Sequence, residues 1–129
     1  MAKRPVPARS ELEVARIVWS LGSATVRQVV EAMPEGRDVD FKTVQTYLRR
    51  LKAKGYLRTR REGRTMIYSP RVHPNRVIGE VVDDLMNRLF GGEVFPLFQH
   101  LIEDRGLSDT DVRQLRELLD RLEKEEEAP

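Results

Sequence analysis

Apolar residues recur at helical spacing along most of this chain, and near the middle the period drops to two. Leu12, Ala15 and Trp19 fall on one side of a first helix, and Val14, Ile17 and Leu21 on another. Glu13, Arg16 and Ser20 are left as its polar stripe, so the pattern predicts a helix over roughly 11–21 that is covered twice. Ser10 with Glu13 has capping-box spacing, and Gly22 ends the run. Ala24 is expected to add one or two residues of strand. Thr25 and Gln28 repeat the capping-box spacing ahead of Val26, Val29, Val30 and Met33, until Pro34 and the PEGRD run stop the second helix. A third helix fills Asp40 to Gly55, DFKTVQTYLRRLKAKG, with Asp40 as N-cap and Gly55 as the stop. At 100° per residue it turns Phe41, Val44, Leu48 and Leu51 inward, with Tyr47 at the edge. Lys42, Thr46 and Arg49 face outward, and Thr43, Gln45 and Arg50 flank them.

Beyond Gly55 the residues alternate. Stretches 56–60 and 65–69 are strand-like, joined by a loop of Arg61, Glu62, Gly63 and Arg64, with Pro70 closing the hairpin. Three short helices and a hairpin in this order predict a winged helix-turn-helix. Val72 to Asn75 reads as a hinge. Helical spacing then returns: Val77, Ile78, Val81, Val82, Leu85, Met86, Leu89 and Phe90 form a broad stripe that Gly91-Gly92 breaks. Val94 to Ile102 predicts a short apolar helix with Pro96 in its first turn. Ser108 with Asp111 opens a last one, which carries Val112, Leu115, Leu118, Leu119 and Leu122 and ends in a frayed EKEEEAP. Three short helices cannot readily bury so much apolar surface among themselves. The surplus can go to a second copy or to the first domain. A homodimer held by Ile78, Val82, Leu85, Leu89, Leu115, Leu118 and Leu122 is the expectation. The fold class expected is therefore mainly α with a small β-hairpin: a winged helix-turn-helix over 1–74, then a helical dimerisation domain over 75–129.

Charge sharpens this picture. The net charge of +2 conceals local balances of 0 over residues 1–40, +10 over 41–76 and −8 over 77–129. The middle segment holds eleven basic residues against a single acid, Glu62. Such a segment beside an acidic tail points to a surface for polyanions. On the third helix, Lys42, Thr43, Gln45, Thr46, Arg49 and Arg50 can reach phosphates and base edges in a major groove. Arg60, Arg61 and Arg64 on the hairpin suit phosphate contact. Double-stranded DNA is the partner expected, and a winged helix that contacts a protein is the alternative.

Other chemistry lacks its residues. With no cysteine, disulfides, thiolate metal sites and cysteine nucleophiles are excluded. His73 and His100 lie far apart, and Asp83-Asp84 and Glu103-Asp104 are adjacent pairs that do not share a helix face. Gly91-Gly92 lacks the strand, turn and lysine of a phosphate loop. No enzyme, cofactor or metal site is assigned. No apolar run approaches a membrane span, and MAKRPVPARS has no hydrophobic region to serve as a signal, so a cytoplasmic chain is expected.

The chain resembles the penicillinase-repressor family of BlaI, MecI and CopY type from about Ser10 to Leu122. The resemblance rests on SELEVARIVWSLGSATVRQVVEAM, FKTVQTYLRRLKAKGYL, REGRTMIYSPRV, LFGG and LSDTDVRQLRELLDRL, in that order and spacing. It implies a homodimeric transcriptional repressor with an N-terminal winged helix and a C-terminal dimerisation domain. It also implies that Lys42, Thr43 and Thr46 are recognition-helix contacts and that Arg64 lies at the wing near the DNA backbone. Two departures stand out. The Cys-rich motif of the copper-responsive members is absent, and His100-Leu101 occupies the place of the Asn-Phe bond cleaved in the β-lactam-responsive ones. The inducing protease and the regulated genes are therefore left unassigned.

Overall fold

In the computed structural model, residues 4–37 and 39–127 are described. They form α1 (Arg9–Leu21), α2 (Val26–Ala32), α3 (Phe41–Ala53), β1 (Leu57–Glu62), β2 (Thr65–Pro70), α4 (Pro74–Phe90), α5 (Phe95–Gln99), a π-helical turn over His100–Arg105, and α6 (Asp109–Glu127). The chain packs as two compact units, residues 1–84 and 85–129, and α4 contributes residues to both.

The first unit is a winged helix-turn-helix. Its core gathers Val14, Ala15 and Val18 from α1, Val26 and Val29 from α2, Val44, Leu48 and Leu51 from α3, and Tyr56, Leu57 and Tyr68 around the hairpin. Trp19 is half-buried and packs against this core, as an anchor would. β1 and β2 pair antiparallel, Leu57 opposite Pro70 and Glu62 opposite Thr65. Ala24 adds the expected extra bridge, exchanging two 2.8 Å backbone hydrogen bonds with Tyr68. That bridge ties the turn between α1 and α2 to the base of the wing.

Several local expectations shift. α1 starts earlier than Ser10 implies, because Glu11 and not Glu13 closes its end, accepting a 2.9 Å hydrogen bond from the Ala8 amide. Ala8 has no acceptor of its own, so only the return half of a capping box forms. Glu13 instead pairs with Arg37 at 2.8 Å. The Thr25–Gln28 box forms in both directions. Pro74 and Asn75 are not hinge residues but the first turn of α4, since proline at the first helical position forfeits only an amide that has no partner there. His73 caps that turn: its carbonyl accepts from the Arg76 and Val77 amides and its Nδ1 from the Asn75 amide. The turn-rich run after Pro34 ends at Asp38, outside the described residues. The acidic end of α6 continues helically through Glu127 rather than fraying, with residues 128–129 outside the described part.

A part-buried ion pair ties α1 to the end of α3. Glu11 is 2% exposed, and its carboxylate accepts a 2.6 Å hydrogen bond from Lys54. Burial works to raise the Glu11 pKa, but the Lys54 and Ala8 hydrogen bonds and the charges of Lys54 and Arg50 outweigh it, leaving the value lowered. Arg4 supplies a second tie, reaching Glu80 at 2.6 Å and lying 5.7 Å over the Tyr56 ring.

In the second unit, α5 runs directly into the π-helical turn, which ends at Gly106 with φ 84°. Ser108 caps α6 by accepting from the Asp111 amide at 3.1 Å. None of the residues of α5, the π turn or α6 is buried in the single chain.

Candidate nucleic-acid interface

The site begins with how α3 is held. Asp40 accepts the Thr43 amide at 2.8 Å, closing the N-terminus. That hydrogen bond, then one from the Thr43 hydroxyl, and the charge of Lys42 hold the Asp40 carboxyl below its ordinary value against a small desolvation effect. At the other end the Gly55 amide donates to the Lys52 carbonyl and the Tyr56 amide to the Leu51 carbonyl, the two bonds of a Schellman motif. Gly55 has φ 92°, which a side chain would oppose. With both ends fixed and Val44, Leu48 and Leu51 buried, the rotation of the helix is determined.

Lys42, Arg49 and Arg50 are therefore exposed, while Thr43, Gln45 and Thr46 are half-buried along the same helix. The Thr46 hydroxyl donates back to the Lys42 carbonyl at 3.0 Å, leaving its lone pairs and its methyl group for a partner. Thr43 spends its amide on Asp40. Lys42 and Arg49 have no ion-pair partner among the described residues.

The wing is tighter than a four-residue loop. Arg61 and Glu62 remain in β1, and only Gly63 and Arg64 turn the chain. Gly63 has φ 61° and Arg64 does not enter positive φ, the signature of a type II′ turn. The pleat also separates residues that are neighbours in sequence: Arg60 pairs across with Ile67 and Arg61 with Met66, so the two guanidinium groups leave opposite faces. Arg60 is partly engaged by Glu62 at 3.2 Å, whereas Arg61 and Arg64 have no such partner among the described residues.

Between α2, α3 and the wing lies a cleft of about 460 Å³ lined by Thr25, Val26, Arg27, Phe41, Gln45, Arg64, Thr65 and Met66. It brings Gln45 of the helix and Arg64 of the wing together. It also contains two residues that the sequence pattern misplaced or passed over. Phe41, expected inward, is 46% exposed, because as the first residue of α3 it lies beyond the last core layer. Arg27 follows the buried Val26, and an apolar stripe alone gives no sign that its neighbour shares a cleft with the wing.

Across the described chain, the family model for penicillinase repressor matches residues 7–121. The chain belongs to the penicillinase repressor family. The penicillinase repressor of Bacillus licheniformis is 28% identical over 120 residues, covering 93% of this chain and 94% of that one. An uncharacterised 16.5 kDa protein from the ptsI 3′ region of Latilactobacillus sakei is 36% identical over 110 residues, 85% of this chain and 75% of its own. Among solved structures, the DNA-binding domain of the repressor BlaI is similar at 34% identity and TM-score 0.50, over 57% of this chain and 90% of that one. The family is one of transcriptional repressors, not of enzymes.

Among the described residues, no three His, Asp or Glu side chains gather to hold a metal ion. His100 meets Asp104 at 2.9 Å on the π turn, an exposed pair rather than a ligand set. No helix among the described residues is long and apolar enough to cross a membrane.

Proposed function

We propose that this chain is a DNA-binding transcriptional repressor that acts as a homodimer on a palindromic operator. The observation that carries the reading is the rigidly capped α3, which presents Lys42, Thr46, Arg49 and Arg50 on a surface beside the wing. This surface belongs to a segment with eleven basic residues against one acid. Residues from 1 to about 74 supply the DNA contacts, from Lys42, Thr43, Gln45, Thr46, Arg49 and Arg50 on the helix and Arg60, Arg61 and Arg64 on the wing. Residues 75–129 supply the dimer. Ile78, Val82, Leu85, Leu89, Leu118 and Leu122 are all exposed in the single chain and Leu115 is half-buried, a surplus that a second copy removes from water. Such a protein works in the cytoplasm. It needs no cofactor. A dimer matches a palindrome because each recognition helix reads one half-site, and a second engaged half-site raises the overall affinity.

The test is a mobility-shift titration of full-length protein on the promoter of its own gene, against scrambled DNA and over a range of salt. Specific retention with a steep salt dependence is expected. Indifference to DNA at low salt would instead leave a winged helix that engages a protein.

A further inference from the structure

The cleft between α2, α3 and the wing has a composition that the base-reading face does not explain. Arg27 enters it from α2 and Arg64 from the wing, and neither has an ion-pair partner among the described residues. No carboxylate lines it. Phe41 stands exposed in the same wall, with Gln45 one turn further along α3. Two unpaired guanidinium groups sharing a cleft without a counter-charge repel one another unless an anion lies between them. A large apolar ring left half in water beside them is a second feature that no contact within the chain accounts for.

The dimensions of DNA say which anion fits. A helix with its side chains measures about 10–12 Å across and the major groove is about 12 Å wide, so a helix lying in the groove has a sugar–phosphate strand along each flank. Lys42 and Thr46 are on the outward face of α3, toward the floor of the groove. Phe41 and Gln45 are nearer the core edge, on the flank that borders the wing. Resting on the DNA-binding reading above, we infer that the cleft is a seat for one phosphodiester unit of the DNA backbone. Arg27 and Arg64 grip the same phosphate from opposite sides, and Phe41 packs on the attached deoxyribose. Arginine suits the task because its planar fork presents paired donors to phosphate oxygens. The arrangement makes Arg27 and Phe41 DNA-positioning residues. It also couples the wing to the helix-turn-helix through the nucleic acid, with no direct bond between Arg27 and Arg64.

The experiment takes a duplex selected from a random pool by the full-length protein and replaces its phosphates one at a time with neutral methylphosphonates. One linkage per half-site is expected to weaken binding by the wild-type protein and to flatten the salt slope by about 0.9. At that linkage, and not at others, the loss shrinks for Arg27→Ala and for Arg64→Ala and disappears when both are replaced. Phe41→Ala weakens selected and scrambled duplexes by the same factor. Thermal melting of each variant checks that these exposed replacements leave the fold intact. If Arg27→Ala and Arg64→Ala map to different linkages, the shared seat is overturned. If Phe41→Ala abolishes the penalty for exchanging a single thymine for uracil, the ring meets a base methyl and its place on the sugar is overturned. Failure to select any duplex would strike at the DNA-binding reading itself, a result distinct from both.

Discussion

Thr46 and Lys42 are coupled before any DNA arrives, since the threonine hydroxyl donates to the lysine carbonyl. Its methyl group and acceptor lone pairs are what remain for a base edge, and Lys42 adds a donor for guanine. Replacing either by alanine is expected to cost about 1–3 kcal/mol at one base pair and to narrow the gap between operator and scrambled DNA. Arg50→Ala lowers both affinities alike. Paired titrations on the two DNAs measure this, and a gap that collapses for Arg50→Ala alone would move the reading face around the helix. Glu11 makes a different residue-scale prediction. Its pKa is lowered in the folded chain from an ordinary 4.5, so the deprotonated form is the stabilising one. The contribution is fully present above that ordinary value and is lost as pH falls through the lower folded value. Melting Glu11→Gln beside wild type should therefore show the largest deficit near neutrality and a shrinking one as the pH is lowered below 4.5. A deficit independent of pH would mean that the Lys54 pair contributes only through its shape.

At the scale of elements, the wing and α3 contribute differently because they are built differently. The two-residue turn at Gly63 leaves Arg64 little freedom, and a β-branched residue cannot adopt its positive φ without strain. Gly63→Val is expected to cost about 1–3 kcal/mol of local strain, relieved by splaying the hairpin tip. The measurable consequence is weaker DNA binding with helical circular dichroism unchanged, because Val44, Leu48 and Leu51 hold α3 independently of the tip. Arg64→Ala should weaken every sequence similarly and flatten the salt slope by less than one unit, because Arg27 keeps part of the hold on the shared phosphate. A shift in sequence preference at constant slope would make Arg64 a base contact instead. The split of Arg60 and Arg61 across the pleat adds that the two need not lose equal affinity when replaced.

For the whole molecule, the decisive quantity is the apolar surface that a single chain leaves in water. Leu118 and Leu122 of α6 are each 52% exposed and Leu89 of α4 is 68% exposed. Full-length protein carrying Leu118→Asp and Leu122→Asp is expected to sediment as a monomer and to lose the affinity that the second half-site provides. Like charges on the proposed dimer face would repel a second copy while leaving the winged helix, a separate compact unit, undisturbed. Unchanged sedimentation of that variant would remove these leucines from the dimer.

Sequence by itself determined which elements form and in what order, because helix and strand periods, caps and stops are local. Asp40, the Thr25–Gln28 box, Gly55 and the Ala24 bridge all act where the pattern places them. The basic middle segment and the polar face of α3 were legible for the same reason, charge and helical angle being properties of neighbours along the chain. Tertiary structure alone decided where the core stops. Phe41 has the spacing of an inward residue but stands past the last buried layer, and the extent of that layer depends on what α1, α2 and the hairpin bring to it. Glu11 looks like a surface acid until Lys54, 43 positions away, closes over it. Arg27 and Arg64 share a cleft only because the wing folds back across the start of α2, a juxtaposition of segments 37 residues apart that no local period encodes.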